Sequence, residues 1–127
     1  MSEPNPTDNG RREPVHTFTF PESVRQSWKE KHGEDGPTTI GLVENNLERD
    51  ALAIKRSQAR RTPPSEEMVR IALVELDGAP LDDTEREQFF NKATRKMREL
   101  IADAWAVVNL PRQEETRDFL SSRQVVY

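Results

Sequence analysis

The stretch Asp82-Asp83-Thr84-Glu85-Arg86-Glu87-Gln88-Phe89-Phe90-Asn91-Lys92-Ala93-Thr94-Arg95-Lys96-Met97-Arg98-Glu99-Leu100-Ile101-Ala102-Asp103-Ala104-Trp105-Ala106-Val107-Val108 decides the fold class. Phe90, Ala93, Met97, Leu100, Ile101, Ala104, Trp105 and Val108 recur at steps of three and four, the spacing that aligns side chains on one face of an α-helix. Thr84 and Glu87 have the separation of a capping box, and Asp82, Asp83 and Glu85 suit the positive end of a helix dipole. The pattern predicts one long amphipathic helix of roughly seven turns. Phe90, Met97, Ile101 and Trp105 are its expected core contribution, and Asn109-Leu110-Pro111 terminates it.

The flanking segments continue in the same style. Glu66 to Leu76 is dense in apolar residues (Met68, Val69, Ile71, Ala72, Leu73, Val74), which predicts a deeply buried helix entered through Thr62-Pro63-Pro64-Ser65 and ended by Asp77-Gly78. Upstream, Asn45 or Asn46 is a good cap for a helix running to about Ala59. Leu47, Ala51 and Ile54 form its apolar stripe, with Glu48, Arg49, Asp50, Lys55 and Arg56 on its back. Downstream, Arg112 to Ser121 reads as a short last helix carrying Phe119 and Leu120, followed by an extended tail from Arg123 to Tyr127.

The front of the chain differs. Val15-His16-Thr17-Phe18-Thr19-Phe20 alternates apolar and polar residues, a strand pattern, and Thr38 to Val43 reads as a second strand able to pair with it. Such a hairpin is marginal alone and needs a helix or another protein to pack on. Between the two, Ser23 to Lys31 predicts a short helix with Val24 and Trp28 one turn apart, and His32 to Pro37 a loop. Residues 1–14 hold three prolines, two asparagines and a glycine, a composition expected to remain a disordered arm. The expected architecture is therefore mainly α. It is a single small helical domain over 15–127 around one long amphipathic helix, with a short N-terminal two-stranded β element.

Composition narrows the function classes. The chain is 33% hydrophobic and 33% charged over 127 residues, with a mean hydropathy of −0.89, so its core is thin. The net charge of −4 argues against a phosphate-backbone ligand. Lys55-Arg56 with Arg60-Arg61 is the one local basic cluster, and it reads as a solvated linker. The absence of cysteine excludes disulfides and thiolate chemistry. No segment is apolar enough to span a bilayer or serve as a secretory signal, so no membrane association is expected and an intracellular location is.

No residue set suggests catalysis. His16 and His32 lack recurring metal-ligand spacing, and the acid pairs Glu66-Glu67, Asp82-Asp83 and Glu114-Glu115 stand at expected helix starts, where carboxylates favour the dipole. No base stands beside a serine, and the five glycines form no phosphate cradle. No catalytic, metal or cofactor residue is assigned. Apolar groups with little neighbouring sequence to bury them remain, and large exposed side chains anchor protein interfaces. Phe18, Phe20, Trp28, Phe119, Leu120, Val125, Val126 and Tyr127 are the candidate partner-binding residues.

Several stretches resemble the tail assembly chaperones of tailed phages. These are Ala51 to Arg56, the turn Glu75-Leu76-Asp77-Gly78-Ala79-Pro80 after an apolar helix, the segment Met97 to Trp105 rich in Ala and aromatics, and the ending Phe119-Leu120-Ser121-Ser122-Arg123. Phe18-Thr19-Phe20-Pro21 and the Thr38-to-Val43 segment are similar to the family's front half. The loop from Gly33 to Gly36 and the Pro63-Pro64 pair depart from its pattern. The resemblance spans roughly residues 15 to 127. It implies a non-enzymatic, mainly helical protein of the bacterial host cytoplasm that binds the tape-measure protein and, by analogy, tail-tube subunits, with a homo-oligomer among the expected states. The alternatives are a permanent component of a phage tail or baseplate and a small nucleic-acid-binding regulator.

Overall fold

The computed structural model describes residues 13–126. The expectations for residues 1–12 of the arm and for Tyr127 lie outside the described residues. In chain order the elements are β1 (His16–Thr19), α1 (Glu22–His32), β2 (Thr39–Leu42), α2 (Leu47–Arg60), α3 (Pro64–Ala72), β3 (Leu73–Leu76), β4 (Ala79–Pro80), α4 (Asp83–Lys92), α5 (Arg95–Asn109) and α6 (Gln113–Ser121). The protein is mainly helical with one small antiparallel sheet, ordered β1-β2-β3-β4.

The expected pairing of β1 with β2 is present, with Phe18 opposite Ile40. The sheet then continues beyond two strands. The apolar run from Glu66 stays helical only to Ala72, and Leu73–Leu76 pairs with β2 on one side and β4 on the other. The cause is Asp77-Gly78, both at positive φ (52° and 79°). Two consecutive positive-φ residues make the tight turn whose twist matches a hairpin. The pair closes a β3–β4 hairpin instead of ending a helix. The Asp77 carboxylate also accepts from the backbone N–H groups of Thr38 and Thr39 at 2.7 and 2.9 Å, which fixes the entry to β2.

The expected seven-turn helix is two helices. Ala93 adopts an extended conformation (φ −61°, ψ 136°) and Thr94 caps α5, its hydroxyl accepting from the Met97 N–H at 3.2 Å. The periodic pattern hid the break because Phe90 and Met97 are seven residues apart, two helical turns whether or not the helix is continuous. Adjacent Phe89 and Phe90, both within α4, are buried in the core. The capping box at the start of α4 is Asp82 with Glu85, two residues ahead of the expected Thr84 and Glu87.

Helix α2 is turned around relative to expectation. Ala53 and Ser57 are its buried residues, while Leu47 (88% exposed), Ala51 and Ile54 face outward. Small side chains allow close approach to α3, and arginines reach around them. Arg60 joins buried Glu67 at 3.2 Å and Glu87 at 2.6 Å, and Arg56 meets Asp83 at 3.1 Å. Glu67, 1% exposed, also accepts from the Thr62 hydroxyl at 2.7 Å. A carboxylate placed there needs partners on its own helix hairpin. Arg60, at the rim of the Ala53 and Ser57 face, supplies one.

The core lies between the sheet, α1, α4 and α5. It contains Phe20, Val24, Trp28, Ile40, Leu42, Leu73, Phe89, Phe90, Met97 and Ile101. Trp28 stacks on Phe89 with centroids 6.0 Å apart and sits 4.6 Å from the His32 ring. A side chain at Gly36 would stand 2.6 Å from the Trp28 ring, so this position accepts no larger residue without moving the indole. Gly36→Ala is expected to destabilise the protein by about 1–3 kcal/mol, the usual cost of overpacking. Urea unfolding measures it, and an unchanged midpoint would show that the indole is free to shift.

The surface charges give a second expectation. The hydrogen bond from Arg86 holds the Asp83 carboxyl below its ordinary value of 3.8, against slight burial and with Arg56 adding attraction. A depressed carboxyl contributes stability that is present above about pH 3.8 and is lost as pH falls through the lowered folded value. Asp83 is well exposed, so the effect is small and screened by salt. In an acid titration of melting temperature, Asp83→Asn should lose less stability than the parent chain below pH 4; parallel curves would remove the ion pair from the account.

Candidate protein-binding site

The candidate partner-binding residues divide into two groups. Phe20 and Trp28 are buried core residues, 3% and 4% exposed, and Phe18 packs half-buried against the same cluster. The expected role of Phe20 and Trp28 at an interface is corrected. Four sheet strands, rather than two, and the close approach of α4 supply the neighbours that the local sequence lacks. Phe119, Leu120, Val125 and Val126 are exposed, at 75%, 64%, 52% and 90%.

The exposed group gathers at one end of the molecule. Helix α6 has no buried residue. A nine-residue helix without a tertiary bed is marginal in water, and a single end contact helps to define this one. The Glu115 carboxylate accepts from the Arg112 N–H at 2.7 Å. Thr116, Phe119 and Leu120 fall on one face by their steps of three and four. Within the helix Glu114, Glu115 and Asp118 outnumber Arg117, but the flanking Arg112 lies 3.8 and 3.6 Å from Glu114 and Glu115 and offsets two of them. The connector from α5 is short. Leu110 is extended, its N–H bonded to the Ala106 carbonyl at 2.8 Å, and Pro111 follows.

A second feature went unread in the sequence. Between α3 and α5 runs a groove of about 550 Å³, walled by Pro63, Val69, Phe90, Ala102, Trp105 and Ala106. Trp105, expected in the core, is only half-buried and forms part of this wall, and its indole N–H is buried without an acceptor. The rim carries Arg95 and Arg98 with Glu66 and Glu99. Arg95 pairs with Glu99 at 2.9 Å, whereas Arg98 has no carboxylate partner among the described residues. Its walls come from α3, α4 and α5 together, so no local pattern announces it.

The remaining candidates offer less. Among the described residues no three His, Cys, Asp or Glu side chains gather as a metal site, and no helix is long and apolar enough to cross a membrane. His32 lies against Trp28, with its Nε2 2.8 Å from the Lys92 carbonyl. In the basic cluster, Arg56 and Arg60 are taken up by Asp83, Glu67 and Glu87, leaving Lys55 and Arg61 without carboxylate partners among the described residues. Comparison with protein-family models, characterised proteins and solved structures gave no match.

If the surface and core are divided this way, truncating them separates cleanly. Phe119→Ala with Leu120→Ala should move unfolding stability by no more than about 0.5 kcal/mol, while Phe90→Ala should cost about 3–5 kcal/mol. A large loss from the first pair in denaturant unfolding would place α6 against the body in solution.

Proposed function

We propose that this chain is a non-enzymatic protein-binding factor that acts as a phage tail assembly chaperone. In this reading it engages the tape-measure protein, and tail-tube subunits with it, in the cytoplasm of a bacterial host. The observation that carries the reading is α6, an amphipathic helix presenting Phe119 and Leu120 with nothing beneath them. Exposed apolar helix faces are docked by partner grooves or helices. Val125 and Val126 extend the same apolar end. The resemblance of the Phe119-Leu120-Ser121-Ser122-Arg123 ending to the chaperone family supplies the partner class. The pairing of Arg56 and Arg60 with carboxylates weakens the nucleic-acid alternative, since such arginines are already neutralised.

Co-expression of the tagged chain with the neighbouring tape-measure and tail-tube genes tests this. The chain should retain the tape-measure protein on an affinity column, and Phe119→Asp with Leu120→Asp should reduce retention at least about tenfold, as expected for interface anchors. Undiminished retention would remove α6 from the interface. Failure of the parent chain to retain either protein would sink the assembly reading.

A further inference from the structure

We infer that α2 pairs antiparallel with α2 of a second copy of this chain, across the outward stripe of Leu47, Ala51 and Ile54. The inference is independent of α6, whose proposed role uses a different surface.

The first observation is a helix whose amphipathicity is inverted. A surface helix ordinarily turns its large apolar residues towards its own core. Helix α2 buries only Ala53 and Ser57 there, while Leu47 and Ile54, with Ala51 between them, face solvent. Arg56 and Arg60 fasten the inner side to Asp83, Glu67 and Glu87. The helix therefore cannot roll about its axis to hide the stripe without breaking those ion pairs. Leu47, Ala51 and Ile54 follow at steps of four and three, which makes them one continuous face.

The second observation is charge that is still free, and it chooses the occupant. The ion pairs of α2 are those of Arg49, Arg56 and Arg60. Glu48 and Lys55 are exposed and form no ion pair among the described residues. They stand along one flank of the stripe, two turns or about 10 Å apart, too far to pair with each other. In an antiparallel pair the same flank of each helix meets. Glu48 of each copy then lies opposite Lys55 of the other, and both contacts form at once. The two-fold axis that relates them passes between Ala51 and Ile54, setting each isoleucine over the other copy's alanine, large against small. A parallel pair would instead bring the acidic first turns, with Glu48 and Asp50, together. One face thus carries the complement of its own charge and its own shape, as an isologous contact requires. At 14 residues α2 is about 21 Å long, so the contact belongs to the small class of interfaces, under about 1,200 Å² in total, and gives a reversible dimer.

Sedimentation of the full chain over a range of concentrations at low salt should show a monomer–dimer equilibrium. Ile54→Glu, at an exposed position, should weaken it at least about tenfold with helicity unchanged by circular dichroism. Glu48→Lys alone and Lys55→Glu alone each set like charges opposite one another in the homodimer. Each should weaken association about tenfold at low salt and less at high salt. Mixed together, these two variants should associate at least as tightly as the parent, since every such contact across the heterodimer joins opposite charges. The chain has no native cysteine, so orientation is read by cross-linking. Ala51→Cys mixed with Ile54→Cys should form a disulfide under oxidation, whereas Leu47→Cys alone should not. A parent chain that stays monomeric overturns the inference, as does a dimer indifferent to Ile54→Glu. Charge variants that associate no better mixed than apart, or efficient cross-linking of Leu47→Cys to itself, would overturn it as well.

Discussion

The stacking of Trp28 on Phe89 is the contact on which the front half of the molecule depends. Helix α1 buries only Val24 and Trp28, so the indole is its main attachment to the body. Phe89 in turn meets Phe90 edge-on at 5.3 Å, and Arg70 from α3 stands over the Phe90 ring at 5.1 Å. The aromatic chain thereby joins α1, α4 and α3 across the thin apolar supply of a chain that is one-third charged. Aromatic pairs contribute beyond their area of burial, which matters most where aliphatic residues are few. Gly36 exists to let this chain close, and the loop around it has to remain small for that reason.

Where the sequence spoke clearly, it did so through periodicity. The strand character of β1 and β2, the short α1 with Val24 and Trp28 one turn apart, and the inward Met97 and Ile101 all follow from spacing that is local. The failures have local causes too. Asp77-Gly78 is the strongest short hairpin signal a sequence can carry, but an apolar run before it without alternation masked the strand. The Ala93–Thr94 break left the seven-residue spacing intact. Helix α2 misled because its inner face is made of the small residues Ala53 and Ser57, with Arg60 at the rim pairing with buried Glu67 of α3. Hydrophobic patterning alone holds no information about that pairing.

The candidate site was half legible. Phe119, Leu120, Val125 and Val126 were recognisable as apolar residues without enough sequence around them to bury them, and they are exposed. The same reasoning failed for Phe20 and Trp28, whose burial is supplied by elements far along the chain, α4 and α5 among them. The groove beside Trp105 could not be foreseen, since its walls come from separate helices. Helix α6 and the groove are two separate apolar surfaces of the same chain.

The short link between α5 and α6 has a further consequence. A flexible tail would let a captured protein wander through a large volume, and any second contact would be made at low local concentration. In the proposed binding role, three residues containing a proline would keep a protein held by α6 close to the body, where the effective concentration for a second touch reaches roughly the millimolar range. A weak patch nearby then gains strength it would lack by itself. The geometry of the tether, more than the affinity of either patch, sets how firmly a two-point grip holds.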